Sequence, residues 1–352
     1  MSFSQEIINW YQANKRDLPW RHTNDPYVIW LSEIILQQTR VEQGLPYFYR
    51  FVEQYPNIAA FAHAEEGEIL RLWQGLGYYS RARNMHKAAK MIMEDHNGIF
   101  PSAYNTLLKL KGIGDYTAAA IASFSANEAK PVLDGNVFRV LSRYFGVEEP
   151  INTPKGKKIF YELALEMLDK EYPAIYNQSV MEFGALQCKP QKPNCEICPL
   201  NASCYAKKTN KVNLLPVKIK GRISKDRYFY YFVITEEKND SIAMRKRGPK
   251  DIWENMYEFP LIEQKVPLSI TELKNSEEFI RLFGDDAELK VISTPKKHVL
   301  SHQNIYATFL EVSKISKDSN KKGGWDYVLL KDLDTLAKPK LIFAFLRDYN
   351  LQ

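Results

Sequence analysis

Apolar residues recur at helical spacing through residues 1–205 and alternate with polar ones only beyond them. From Asp25-Pro26 the run PYVIWLSEIILQQTRVEQG carries Ile29, Trp30, Ile34 and Leu36 on a continuous apolar face, which predicts one helix. PYFYRFVEQY predicts another, ended by Pro56. Residues 64–73, AEEGEILRLW, predict a third, followed by a loop, GLGYYSRARN. HKAAKMIMEDHNG is a helix stopped by Asn97-Gly98, and NVFRVLSRYFG, KGKKIFYELALEMLD and YNQSVMEFGALQC continue the helical series. Beyond residue 225 the texture changes. YFYYFVIT and DSIAMRKR read as paired strands, and SEEFIRLFG reads as a helix capped by Ser276. ELKVISTPKKHVLSHQNIYATFLEV supplies more strands, and KPKLIFAFLRDY a last helix.

This pattern predicts a mainly α N-terminal domain over 1–206 and an α+β domain over 226–352, with a connector over 207–225. From Lys207 to Arg227 the chain has eight Lys or Arg and one acid, Asp226, so the connector reads as exposed and basic, either solvated or touching phosphates. The whole chain of 352 residues carries a formal net charge of +6, which is compatible with a nucleic-acid partner without requiring one. With 45% hydrophobic residues and no apolar run of about 20, neither a membrane span nor a secretory signal is expected, and the cytoplasm, near the nucleoid, is the expected location.

Within the helical half, Leu107 to Val137 stands out. A short apolar face ends at Lys111, Gly112 stops the first helix, and Gly114 permits a close backbone approach. A helix-forming run, AAAIASF, follows from Thr117. Its unpaired first amides suit a DNA phosphate. Asp134 then opens another helix. The four cysteines, Cys188, Cys195, Cys198 and Cys204, are spaced C-x6-C-x2-C-x5-C and lie together, which points to one metal centre in a reducing compartment. A soft set of four thiolates suits a [4Fe–4S] cluster or zinc.

The Gly-x-Gly hairpin, an aspartate twenty residues after Gly114 and this cysteine spacing resemble the helix-hairpin-helix DNA glycosylases of the endonuclease III superfamily. LPWR (18–21), WLSEIILQQTRVE (30–42) and WQGLGYYSRARN (73–84) resemble the adenine DNA glycosylases of the MutY type, and IWENMYEFP (252–260) and HVLSHQ (298–303) resemble their MutT/Nudix-like C-terminal domain. The resemblance spans nearly the whole chain. It implies a monomeric enzyme that binds double-stranded DNA, removes adenine opposite 8-oxoguanine or guanine, and carries a [4Fe–4S] cluster.

Adenine leaves its sugar readily only once protonated, so a general acid held protonated near neutrality is required. Glu33 lies inside an apolar helix, where burial raises a carboxyl pKa. The resemblance makes it the proton donor. The sugar acquires oxocarbenium character, and a carboxylate opposite should stabilise or trap it. Asp134, at a helix N-terminus, is the candidate, with its ionised form favoured there. Tyr116 stands where lyase relatives carry a lysine, and no lysine occurs between Lys111 and Lys130, so an imine with the sugar is not expected. Tyr116 is expected to orient Asp134 or the attacking water, and Asn136 to hold the sugar or that water. The resemblance further implies that Gln38 and Tyr78, with Leu36, Thr39, Val41 and Leu76 beside them, fill the gap left by a flipped base. Arg16, Trp20, Arg21 and Gln178 match the adenine pocket. Ser301 and His302, preceded by Leu300 where the family usually has an aromatic, match the 8-oxoguanine reader, with His298 supporting the loop. The rival readings are an endonuclease III-like glycosylase/lyase, against which Tyr116 and the second domain argue, and a non-catalytic lesion binder. A Nudix pyrophosphohydrolase would need an R-E-x-x-E-E helix, and no such sequence follows residue 226.

Overall fold

The computed structural model describes residues 2–219, 221 and 224–349. Lys220, Arg222 and Ile223 of the expected connector lie outside the described residues. The helices in chain order are α1 (Phe3–Asn14), α2 (Pro26–Leu36), α3 (Val41–Gln54), α4 (Ile58–His63), α5 (Glu66–Leu72), α6 (Ser80–Asp95), α7 (Tyr104–Leu107), α8 (Asp115–Ala126), α9 (Gly135–Phe145), α10 (Pro154–Met167), α11 (Pro173–Leu186) and α12 (Tyr205–Lys208). The strands are β1 (Lys225–Val233), β2 (Thr235–Glu236), β3 (Ser241–Lys246), β4 (Tyr257–Glu258), β5 (Leu261–Gln264), β6 (Glu288–Val291), β7 (Lys296–Val299), β8 (Gln303–Ser313) and β9 (Asp326–Leu329). Among them stand α13 (Ile270–Lys274), α14 (Glu277–Phe283), α15 (Ser319–Gly323) and, last, α16 (Lys340–Asp348).

Contacts divide the chain into two units, residues 1–63 with 84–220, and residues 64–83 with 221–352. In the first, α2 begins at Pro26 behind Asp25, whose carboxylate accepts from the Tyr27 amide at 2.9 Å. It is buried almost all round, with Trp30, Leu31 and Ile35 fully inside, as a helix without a polar face must be. The small side chains of α8, Ala118, Ala119, Ala120 and Ala122, let it pack closely on α2 and α11. A second cluster joins α1, α9, α10 and α11 through Ile7, Val140, Phe160 and Phe183. The helix expected over 26–44 is instead two, α2 and α3, separated where Gln38 takes a positive φ of 55°. Likewise α8 starts at Asp115 rather than Thr117, with Gly114 as its N-cap, and α6 starts at Ser80, inside the expected loop.

In the second unit, β5, β1, β8 and β6 form one sheet, with β7 also on β8. The β1–β8 pair is parallel, from Lys225↔Gln303 to Val233↔Glu311. Phe232 meets Phe283 of α14 on one face (4.7 Å between centroids). On the other, Phe309 stacks on Phe345 of α16 at 3.9 Å. The expected pairing of YFYYFVIT with DSIAMRKR survives only at the turn, Thr235↔Ile242. Past it β3 leaves for a second sheet with β2, β4 and β9, because β1 is taken on both edges by β5 and β8. Residues 64–83, read by sequence with the N-terminal domain, join this unit. Asn255 Nδ2 donates to Glu66 Oε1 (2.6 Å), Arg83 Nη1 to the Glu254 carbonyl (3.1 Å), and the Lys338 amide to Gln74 Oε1 (3.3 Å).

A buried ionic cluster braces the second unit. Glu258, fully inside, accepts from Arg245, from Arg247 Nη1 (2.9 Å) and from the Tyr231 hydroxyl (3.1 Å). Arg247 also reaches Asp251 (2.5 Å), which Arg227 joins to Glu263. Removing one partner strands a desolvated charge. Arg247→Met is therefore expected to lower the stability of this unit by about 3–5 kcal/mol in denaturant unfolding. A loss below about 1 kcal/mol would mean that water already reaches the cluster.

Candidate active site

Five segments of the sequence bring the expected chemistry into one cleft of about 480 Å³ in the first unit. Glu33 projects from α2, Tyr116 from the first turn of α8, and Asp134 caps α9. Arg16, Trp20, Arg21 and Gln178 complete the lining, with Asn136, Leu36, Thr39 and Val41. Every residue expected for catalysis and for the adenine pocket thus lies on this cleft.

Glu33 is 7% exposed. Burial pushes its carboxyl up to about 7; the Tyr116 hydroxyl, donating to Oε2 at 2.5 Å, pulls against that, while the charge of Asp134 adds to it and that of Arg21 opposes it. Tyr116 therefore serves Glu33, where the sequence had suggested Asp134 or a water. Its own hydroxyl is held well above the ordinary phenol range, first by burial and then by Glu33, so it stays a donor.

Asp134 caps α9 with Oδ1, accepting from the Asn136 amide (2.8 Å) and the Val137 amide (2.7 Å), while Oδ2 accepts from Asn136 Nδ2 at 2.7 Å. Burial raises its carboxyl and these three bonds lower it. Both carboxyls are thus raised by burial; what separates them is the donor set, one hydroxyl on Glu33 against two amides and a side-chain amide on Asp134. Asn136 is engaged on both ends, because Arg139 Nη2 donates to its Oδ1 at 2.8 Å. In this arrangement it holds Asp134 in place. Arg139 also donates to the carbonyls of Gly184 (2.6 Å) and Cys188 (2.7 Å).

Arg139 went unnoticed in the sequence, as did Glu182, an α11 carboxylate with a side chain 1% exposed that both Arg16 and Arg21 clamp. A glutamate in the apolar string SVMEFGAL was the available signal. Gln178 accepts from the Tyr11 hydroxyl at 2.8 Å, and Trp20 packs edge-on against Phe48.

Beside this cleft, Gly112 takes a positive φ of 79°, and the α8 N-terminus after Gly114 has no side-chain cap. Its first amides remain available to an anion. Gln38 is exposed at its positive φ. In the second unit Tyr78 also has a positive φ, 47°, and is 46% exposed, and its hydroxyl is hydrogen-bonded to the Ser301 hydroxyl. Leu76 is buried at 7% exposure, so it backs that loop and presents no wedge. Leu300, half-buried, and the exposed Ser301 and His302 form the turn from β7 to β8. The turn is tied by the Leu300 amide to the Gln303 carbonyl (2.8 Å) and by the Lys225 amide to the His302 carbonyl (3.1 Å). His298 packs on Trp253.

Cys188, Cys195, Cys198 and Cys204 border one void whose other walls include Val140, Phe183 and Leu200. Among the described residues no trio of His, Cys, Asp or Glu gathers on a single ion's position; the thiols instead surround a shared space. Burial, opposed by the Leu200 amide and reinforced by the other thiols, pushes the Cys198 thiol up to about 11. Arg143, whose Nη1 lies 3.4 Å from Cys188 Sγ, and Lys207 supply positive charge at the void, and four soft sulfurs around one shared space fit a group that brings its own positive iron.

Known proteins agree. Residues 31–165 match the HhH-GPD superfamily of base excision DNA repair proteins, residues 188–204 the iron–sulfur binding domain of endonuclease III, and residues 230–348 the NUDIX domain. The fold and site thus define a helix-hairpin-helix DNA glycosylase with a [4Fe–4S] cluster and a Nudix-like second domain. Two adenine DNA glycosylases from Buchnera aphidicola are each 37% identical. The one from the Acyrthosiphon pisum strain covers 99% of this chain and 97% of its own. That from the Baizongia pistaciae strain covers 90% and 88%. A solved thermostable thymine-DNA glycosylase is 30% identical with a TM-score of 0.55, covering 59% of this chain and 95% of its own. The chain belongs to the adenine DNA glycosylase family.

Proposed function

We propose that this enzyme removes adenine mispaired with 8-oxoguanine or guanine from double-stranded DNA and leaves an abasic site. The observation that carries the chemistry is a single cleft holding a carboxyl raised to about 7, Glu33, opposite a carboxylate that accepts three hydrogen bonds, Asp134. Glu33 donates its proton to adenine N7. The C1′–N9 bond then breaks with its electron pair going to the base, and neutral adenine departs. Asp134 stabilises the resulting oxocarbenium ion, or bonds to C1′ and is then displaced, and water adds at C1′, its proton passing to the Glu33 carboxylate, to give the abasic sugar. Arg16, Trp20, Arg21 and Gln178 hold the flipped adenine, Gly112 and Gly114 the DNA backbone, and Gln38 with Leu36, Thr39 and Val41 the opened stack. The cluster loop begins at Cys188, whose carbonyl accepts from Arg139.

The Tyr78–Ser301 bond supports the finer choice of partner, since it joins a stack-filling aromatic to the turn with Leu300 and His302. The protein acts as a monomer in the cytoplasm; among the described residues no helix is long and apolar enough to cross a membrane. Single-turnover assays on duplexes with adenine opposite 8-oxoguanine, guanine or thymine test the reading. Adenine release that leaves an alkali-labile site is expected for the first two, faster for 8-oxoguanine. Ser301→Ala is expected to narrow that preference about tenfold, the value of one good polar contact. Absence of release from both mispairs would sink the proposal, and an unchanged preference would remove Ser301 from it.

A further inference from the structure

We propose that Glu182 is a positioning residue of the proton-transfer step: it supplies the negative charge that balances Arg16 and Arg21 and so keeps Glu33 in its protonated form. This rests on the reading of Glu33 as the general acid.

The geometry is unusually complete. Glu182 Oε1 accepts from the Arg16 amide (2.9 Å), Arg16 Nε (2.9 Å) and Arg21 Nη1 (3.1 Å), while Oε2 accepts from Arg16 Nη2 (2.7 Å) and Arg21 Nη2 (2.8 Å). Arg21 Nη1 is also fixed to the Arg16 carbonyl at 2.9 Å. Burial works to raise the Glu182 carboxyl, but the Arg16 and Arg21 bonds outweigh it and hold it at about 2. Glu182 is therefore a permanent anion in the wall of the cleft.

The groups facing Glu33 can be counted element by element. Tyr116 of α8 is neutral, Asp134 at the head of α9 is negative in the reacting form, and Arg21 after α1 is positive. Arg16 and Glu182 line the same cleft, and the exposed Arg40 and Glu42 at its rim are of opposite sign. With Glu182 ionised, two guanidinium charges meet two carboxylates, and the cleft is neutral only while Glu33 keeps its proton. Neutralising Glu182 would leave the cleft with one guanidinium charge in excess, and that excess would favour ionised Glu33. A residue that merely pinned two arginines would need no charge of its own beyond its hydrogen bonds.

The test is the pH profile of single-turnover adenine release from pH 5 to pH 9, for wild type, Glu182→Gln, Glu182→Asp, Arg21→Met and Glu33→Gln. Wild type should lose rate above neutrality in a limb absent from Glu33→Gln. Glu182→Gln should move that limb to lower pH, about tenfold slower than wild type at pH 8, with the deficit closing toward pH 5. Glu182→Asp should restore the limb, and Arg21→Met should move it the other way, to higher pH. A Glu182→Gln loss equal at every pH, or an unmoved limb, overturns the proposal while leaving Glu33 as the acid. If Glu182→Gln fails to fold, an Arg21→Met limb that stays in place or moves to lower pH overturns it just as well. A wild-type profile without a Glu33-dependent limb overturns the general-acid reading and this proposal together.

Discussion

Replacing Glu33 by glutamine is expected to slow adenine release by about 10²–10⁴-fold while the mispair is still bound. Gln is nearly the same shape, and its amide oxygen can accept the Tyr116 hydroxyl that now donates to Oε2. What disappears is the acidic proton, which burial keeps on Glu33 up to about pH 7. Asp134→Asn is expected to cost as much for a different reason. The asparagine oxygen can still accept the Asn136 and Val137 amides, but its NH2 would meet Asn136 Nδ2, donor against donor, and the negative charge that the proposed mechanism requires is gone. Both variants should bind DNA in anisotropy titrations and fail in single-turnover release. A wild-type rate in either would exclude that residue from the chemistry.

The parts of this site legible in the sequence are those whose signal is local. Glu33 shows because it interrupts an apolar helix, and Asp134 because an N-cap is read from its neighbours. The cysteines show because their spacing is a ligand pattern within one loop. The partnerships did not show, since they join residues far apart: Tyr116 to Glu33 is 83 positions, Arg16 to Glu182 is 166. Backbone conformation was equally hidden. Gln38 and Tyr78 occupy left-handed geometry that non-glycine residues seldom adopt, so periodicity ran a helix straight through Gln38. In the second unit the alternating strands were legible, but the parallel β1–β8 pairing was not, because strand alternation marks faces and says nothing of partners. The placement of 64–83 with that unit has the same cause: nothing local in the segment names its partner, and the bonds of Glu66 to Asn255, of Gln74 to Lys338 and of Arg83 to Glu254 join residues far apart in sequence.

Gly184 is the sharpest instance of a hidden requirement, and Gly184→Ala is expected to cut the rate of base removal about 100-fold with the protein still folded. A Cβ at this position would stand 2.6 Å from Asn136 Cβ, 2.9 Å from its carbonyl oxygen and 3.0 Å from its carbonyl carbon. No rotamer relieves contact with a backbone atom, so α9 must move away from α11 at its first turn. That turn carries Asp134 and Asn136, and the Arg139 bond to the Gly184 carbonyl moves with it. Overpacking of this kind costs about 1–3 kcal/mol, which an ordinary domain survives, whereas a displacement near 1 Å at a reacting carboxylate is enough for a 10²-fold loss. The loss should be the same from pH 5 to pH 9, because no charge changes, which separates it from the Glu182→Gln profile. Thermal unfolding together with single-turnover rates decides the matter. A variant within about threefold of wild type would show that α9 yields without carrying Asp134 out of position, and that the catalytic geometry is less demanding than these contacts require.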